Sequence, residues 1–291
     1  MSMRLFVAVV LLACCGIVAA GGNTRAVRQQ VEVSMMLTGT IEVDPAGQVA
    51  GHALDHADAL PPGVVRLVAQ SLPAWRFAPV IVDGQPRATR APMRLRVVAR
   101  HVEGDADRYE ISIRSAWFGS DAEPDPATQV TKLDMTPPYY PDGARKAGVA
   151  GTVYVLLKVG ADGKVEEAAA EQTNLTVVGP ENVMRHARRD LERSALAAAR
   201  GWTFLPPADA AEAAKGEWIV RVPVSFKLIH DSEDRLPPAP GQWESYVPGP
   251  RHRPSWLPSD RVASGGIDAG PPEGVEQLDK GLRLLAGLEQ G

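Results

Sequence analysis

Six histidines and two cysteines are the side chains of this sequence best suited to hold a metal or act as nucleophiles. His52 and His56 are four residues apart, a spacing that on one helix face would let two imidazoles share a zinc ion. Their neighbours Ala53, Leu54 and Asp55 lie where the pattern is that of strand and turn, so the spacing brings nothing together. His101, His186, His230 and His252 are scattered, with no further ligand cluster beside them. The sequence has no Gly-flanked nucleophilic serine, no phosphate-cradling glycine loop and no pair of carboxylates in an apolar setting. Gly119 to Asp121 and Ser264 to Gly266 are ordinary turn sequence. The expectation is a protein that is not an enzyme, with no catalytic residue, no metal site and no cofactor.

Both cysteines, Cys14 and Cys15, sit in an apolar N-terminal run that follows Arg4 and ends in small residues. That is the pattern of a secretory signal over residues 1–20, with cleavage after Ala20 leaving a periplasmic protein without cysteine chemistry. Two alternatives stand beside it. Leu11-Leu12-Ala13-Cys14 resembles a bacterial lipobox, in which Cys14 would carry the lipid and tether the chain to a membrane. An uncleaved anchor is the other, although the charge-free stretch of about 16 residues is shorter than the roughly 20 that span a bilayer.

Of 31 basic and 35 acidic residues, removal of that segment takes only Arg4, so 30 and 35 remain and the net charge moves from −4 to −5. A mildly acidic chain is a poor nucleic-acid ligand. Arg185, His186, Arg188, Arg189 and Arg193 make one basic stretch, read as a solvated helix face, although such a stretch could also meet acidic headgroups or a receptor. Asn174-Leu175-Thr176 matches a glycosylation acceptor by chance.

The elements that must position anything functional emerge from an internal repeat. Trp75-Arg76-Phe77-Ala78-Pro79 aligns with Trp202-Thr203-Phe204-Leu205-Pro206, 127 residues on. At the same offset Met93, Leu95, Val97 and Ala99 fall on Val220, Val222, Val224 and Phe226, the alternating apolar face of a strand. Upstream, Leu37, Gly39, Ile41, Val43, Gly47 and Val49 fall on Val153, Val155, Leu157, Val159, Gly163 and Val165, 116 residues on. The 11-residue difference is expected as a surface-loop insertion around Thr176 to Arg189.

The second copy reads helix (Pro141 to Ala147), strand (Gly151 to Val159), Asp-Gly turn, strand (Lys164 to Gln172), helix (Leu191 to Arg200) and strand (Glu217 to Ile229). The first copy shares this order without the opening helix, and a hairpin from Val97 to Phe118 follows it. With apolar residues at 45% and aromatics at 5%, both cores must be built mainly from Val, Leu, Ile and Ala. After Ile229, Pro and Gly recur, and the tail is expected to be mobile or extended, with Trp243, Tyr246 and Trp256 as anchors able to fold back or bind. Val275, Leu278, Leu282 and Leu285 predict a short amphipathic helix over Gly274 to Leu288.

In the second copy Pro138-Tyr139-Tyr140-Pro141, then Ala144, Ala147 and Gly148, then Gly151-Thr152-Val153, and finally Trp202, Phe204 and Pro206 together resemble the TonB C-terminal domain family. Tyr140, Pro141, Gly151, Trp202, Phe204 and Pro206 are its signature here, and they read as packing residues rather than a site. The match covers about 90 residues, and the first copy resembles a degenerate relative. The resemblance implies an antiparallel three-stranded sheet with helices on one face, in a Gram-negative envelope. It further implies contact with an extended segment of an outer-membrane receptor, by strand addition to an exposed edge. By that analogy the edge is the strand carrying Val220, Val222, Val224, Phe226 and Leu228, with Pro223 tolerated because its missing N–H faces outward.

The family's energy transducers couple an N-terminal helix to an inner-membrane proton-channel complex and cross the periplasm on a Pro-rich spacer. Here the apolar segment has no Ser or His of the coupling kind, and the Pro-rich sequence follows the domain instead. The expectation is therefore an α+β protein of two tandem small domains. Its parts are residues 1–20 as signal or anchor, 31–118 as degenerate repeat plus hairpin, 119–136 as linker, 137–229 as TonB-like domain and 230–291 as tail. Its function is expected to be a periplasmic, TonB-like adaptor that binds receptor or other envelope segments in TonB-dependent transport. A divergent energy transducer with an uncleaved anchor, and a scaffold that organises an envelope assembly or a homodimer, are the alternatives.

Overall fold

The computed structural model describes residues 32–102, 105–119, 124–229, 238–258 and 266–288. The segment read as a signal, including Cys14, lies outside the described residues. Among those described, no helix is long and apolar enough to cross a membrane. The fold is α+β and built on antiparallel sheets.

The chain opens with β1 (Glu32–Val43), β2 (Val49–Leu54), α1 (Pro62–Ser71), β3 (Arg76–Phe77), a small hairpin of β4 (Val80–Val82) and β5 (Gln85–Arg87), then β6 (Thr89–Val102) and β7 (Asp105–Trp117). It continues with β8 (Thr131–Asp134), α2 (Asp142–Lys146), β9 (Gly151–Gly160), β10 (Val165–Leu175), α3 (Glu181–Ala199), β11 (Thr203–Leu205), α4 (Ala210–Ala213) and β12 (Glu217–Phe226). The tail supplies β13 (Glu244–Tyr246), β14 (Glu276–Gln277) and β15 (Leu284–Ala286).

Two sheets organise these elements. The first runs β13-β1-β6-β7, with β2 also paired to β1, and the second runs β10-β9-β12-β14. In each, a tight hairpin (β1–β2 or β9–β10) takes its third strand (β6 or β12) on the far side of the first strand. The alignment of the repeat places Val97 opposite Leu37, yet Leu37 pairs with Leu95, whereas its counterpart Val153 pairs with Val224. The register of the third strand has thus slid by two residues. An even slip keeps every apolar side chain on its original face.

Each hairpin turn is held by an aspartate side chain, at a different position in the two turns. Asp44 Oδ1 accepts from Ala46 N and Gln48 N at 2.9 Å each, and Asp162 Oδ1 accepts from Lys164 N at 3.0 Å. Gly47 and Gly163 follow at φ 82° and 76°. The Gly47 carbonyl accepts from Phe77 N and the Gly163 carbonyl from Phe204 N, each at 2.8 Å. A Cβ at either glycine would stand 2.1 Å from the Phe77 or Phe204 carbonyl oxygen. The Trp-x-Phe motif is therefore a clasp from the core onto the turn, with Trp75 and Trp202 buried behind it. Trp202 Nε1 donates to the Thr136 carbonyl at 2.8 Å, whereas Trp75 Nε1 has no hydrogen-bond partner. Trp202→Phe is accordingly expected to cost about 0.5–1.5 kcal/mol more than Trp75→Phe in chemical denaturation, because only the first removes a hydrogen bond.

The helices cover one face of each sheet, α1 through Val64 and Val68, and α3 through Met184, Ala187, Leu191, Ala195 and Ala199. Four sequence expectations change. The 11-residue insertion is largely helix rather than loop, since α3 has 19 residues and α1 has 10. Its apolar stripe begins at Met184, so the extra turns have sheet surface to bury. The stretch read as a linker contains β8, which pairs with β11.

The sheets exceed three strands because β7 and pieces of the tail join them. The helix expected over Gly274 to Leu288 is absent, replaced by β14 and β15. Gly274, Gly281 and Gly287 hold φ of 109°, 86° and 126°, which no α-helix can accommodate. The apolar residues are also divided among three clusters, with Val275 on the α3-side core of the second sheet. Leu278 packs beside Leu156, Ile219 and Leu257, while Leu282 and Leu284 join the core of the first sheet.

Candidate partner-binding edge

β12 is paired with β9 along its whole length, from Glu217 opposite Gly160 to Phe226 opposite Gly151. Val220, Val222, Val224 and Phe226 are buried against α3 and its neighbours, and Leu228 is half-buried. Their side chains are core. Anything this edge offers to an extended segment is backbone. The Ile219 carbonyl accepts from Leu278 N at 3.0 Å, so Ile219 points its backbone away from β9. By alternation Arg221, Pro223 and Ser225 do the same. The missing N–H of Pro223 therefore falls on the outer edge, where the β9 ladder loses nothing by it.

From sequence β12 is expected to have no further strand neighbour. In the structure β14 is that neighbour, with Gln277 opposite Val220 and Glu276 opposite Arg221. From Pro223 to Phe226 the outer edge carries no strand partner among the described residues. The signature residues all serve packing. Tyr140 donates to the Val149 carbonyl and meets Phe226 edge-on at 5.3 Å, and Pro141 starts α2. Gly151 lets the Asn174 carbonyl approach within 2.4 Å of where a Cβ would be, and Pro206 abuts Gly163.

Beneath the tail, on the sheet face away from α3, lies a group of charges that sequence reasoning missed. The Arg221 side chain is 3% exposed and reaches Glu171 Oε2 at 2.8 Å and Glu276 Oε2 at 3.0 Å. Arg251, itself 42% exposed, reaches Glu171 Oε1 at 3.2 Å. Burial by itself would lower the pKa of Arg221, but the carboxylates of Glu276 and Glu171 outweigh it and hold the guanidinium above its ordinary value.

A second polar junction joins both sheets through the tail. Asp268 Oδ1 accepts from Ser115 Oγ at 2.6 Å, and Oδ2 accepts from Asn174 Nδ2 at 3.0 Å and from the Tyr246 hydroxyl. Arg96 donates to the Asp268 carbonyl at 2.9 and 3.1 Å, with its guanidinium over the Tyr246 ring at 5.1 Å. Burial and then the Asp268 charge raise the Tyr246 hydroxyl above the ordinary tyrosine range. Asn174, the chance glycosylation match, is buried here.

Arg185, Arg189 and Arg193 are exposed as a solvated helix face should be. Arg188 is not. It is buried and donates to the carbonyls of Thr173, Val247 and Pro248 at 3.3–3.4 Å, holding the tail against β10. His52 lies on β2 and His56 in the turn after it, at φ 50°.

The model of the Gram-negative bacterial TonB protein C-terminal family matches residues 136–228, from the approach to α2 through β12. Two curated relatives, each named Protein TonB and each from a strain of Xanthomonas campestris pv. campestris, are 34% identical over 102 residues. The aligned part is 35% of this chain and 40% of each relative, so the chain spans less than half the length of the curated relatives it matches. No solved structure matches the chain.

Proposed function

We propose that the chain, whose residues 136–228 are a TonB C-terminal domain, is an envelope protein of TonB-dependent transport that binds an extended segment of an outer-membrane receptor or another envelope protein. The binding is by strand addition at the outer edge of β12, with backbone groups giving affinity and no chemistry performed on the partner. The observation that carries this reading is the edge itself. β12 presents outward backbone groups from Ile219 to Ser225, and a short extended segment already pairs with them at Val220 and Arg221. We further read the first sheet as a second, divergent copy of the same unit. Its support is the shared strand order and the identical clasp of Phe77 on Gly47 and Phe204 on Gly163.

Ser225→Pro tests the edge. Ser225 is exposed, and its N–H points outward, so proline removes one donor from the free edge and leaves the β9 ladder intact. A photo-crosslinking residue at Lys227, exposed just beyond β12, is expected to form adducts with an outer-membrane receptor in whole cells. Ser225→Pro in the same chain is expected to cut that yield by about tenfold, the effect of about 1.4 kcal/mol. Equal adduct yield with and without proline would exclude strand addition here.

A further inference from the structure

Three consecutive tail residues meet three separate needs of the second sheet and the segment that leads into it. Glu276 supplies a carboxylate to Arg221 at 3.0 Å. Gln277 is buried, and its Oε1 accepts from the Val130 backbone N–H at 2.9 Å. Leu278 packs with Leu156, Ile219 and Leu257 on the sheet face away from α3, and its N–H closes on the Ile219 carbonyl. Charged, polar and apolar contacts in register with an antiparallel ladder are the way an added strand is recognised. Gly274, at φ 109°, marks where the chain stops following β12.

The charges limit what can replace this segment. Arg221 and Arg251 face Glu171 and Glu276, two of each sign. If Glu276 leaves the edge, Arg221 keeps Glu171 at 2.8 Å but shares it with Arg251, so two guanidiniums are left on one carboxylate. An incoming strand that brings a carboxylate to the same position restores the balance of two and two, and one that does not leaves Arg221 with a single shared carboxylate.

We propose that Glu276–Leu278 is an internal ligand of the β12 edge, which partner segments must displace, and that the partners suited to do so carry a carboxylate in register with Arg221. This rests on the strand-addition reading above. A partner meets only the fraction of molecules whose tail is off the edge, so its apparent dissociation constant rises by the inverse of that fraction.

The test uses the full chain and a fluorescein-labelled peptide of its own residues Glu273–Lys280, titrated by anisotropy into wild type, Glu276→Gln and Leu278→Ser. Amide hydrogen exchange at Arg221 and at residue 278 is measured in parallel, and near-UV circular dichroism verifies that each variant is folded. Leu278→Ser carries the test if Glu276→Gln does not fold. Both variants are expected to expose the two amides and to bind the peptide at least about tenfold more tightly than wild type. A peptide carrying Glu276→Gln is expected to bind the same variants about tenfold more weakly.

Amides that exchange alike in wild type and variants, with equal peptide binding, would overturn the internal-ligand inference and leave strand addition standing. Freed amides with no gain in peptide binding would sink the strand-addition reading at this edge, and the inference with it. Equal binding of the two peptides would remove the carboxylate requirement.

Discussion

Arg221→Met is expected to lower the unfolding free energy by about 3–5 kcal/mol, the range for deleting one partner of a buried ion pair. Methionine keeps much of the side-chain volume, so the loss is electrostatic rather than a cavity. What remains is Glu171, whose side chain is 2% exposed, and Glu276, with only the half-exposed Arg251 near Glu171. The companion variant Arg221→Met/Glu171→Gln/Glu276→Gln is expected to recover most of the loss, because the carboxylates stranded by the first substitution are then neutral. Urea denaturation of the full chain measures both. A loss under about 1 kcal/mol would mean that these groups behave as a surface pair, with the tail lying off the sheet in solution.

Gly163→Ala and Gly47→Ala are expected to cost about 2–4 kcal/mol each, from a positive φ that alanine disfavours and from a methyl driven into a backbone carbonyl. The carbonyls are those of Phe204 and Phe77, 2.1 Å from the ideal Cβ positions, and neither can retreat without opening its clasp. Gly216→Ala is the control. It has a comparable φ of 72° and nothing within 4 Å, so only the backbone term of about 1 kcal/mol is expected. The two clasps are in different sheets, and their costs should add within about 0.5 kcal/mol in the double variant. Thermal or urea unfolding of the four variants would show it, and costs equal to that of Gly216→Ala would mean that the clasp is not formed.

The repeat was legible because its parts are local. A Trp-x-Phe motif, a Gly-containing turn and an alternating strand each declare themselves within a few residues, and together they indicate the hairpin and the third strand of both sheets, though not the clasp of Phe77 and Phe204 on the turns. The slip of β6 relative to β12 was not legible, since a two-residue shift leaves the alternation unchanged. α3 was read too short because Arg185, His186, Arg188 and Arg189 obscured the stripe formed by Met184, Ala187 and Leu191.

The tail defeated pattern reading for a different reason. Leu278, Leu282 and Leu285 have helical spacing, but Leu278 and Leu282 serve different sheets and Leu285 is exposed, so the period was coincidence. The glycines at 274, 281 and 287 were the available signal against a helix. Nothing near Asp268 or Arg221 announced a partner, because every partner is far away along the chain. Of β12, the outward Pro223 was legible in the sequence, whereas its neighbour β14 was not.

The Asp268 junction also sets an order of events during synthesis and folding. Its contacts link residues 172, 153 and 94 positions apart in the chain, for Arg96, Ser115 and Asn174 respectively. Contacts of such separation close last, after the local hairpins have formed. A ribosome completes every strand of the two sheets except β14 before it reaches residue 268, so the nascent chain passes through a stage with the β12 edge bare and with Arg96 and Arg221 lacking their tail partners. Kinetically this chain should fold in two phases, a fast one shared with any fragment ending before the tail and a slow one that only the finished C-terminus can supply.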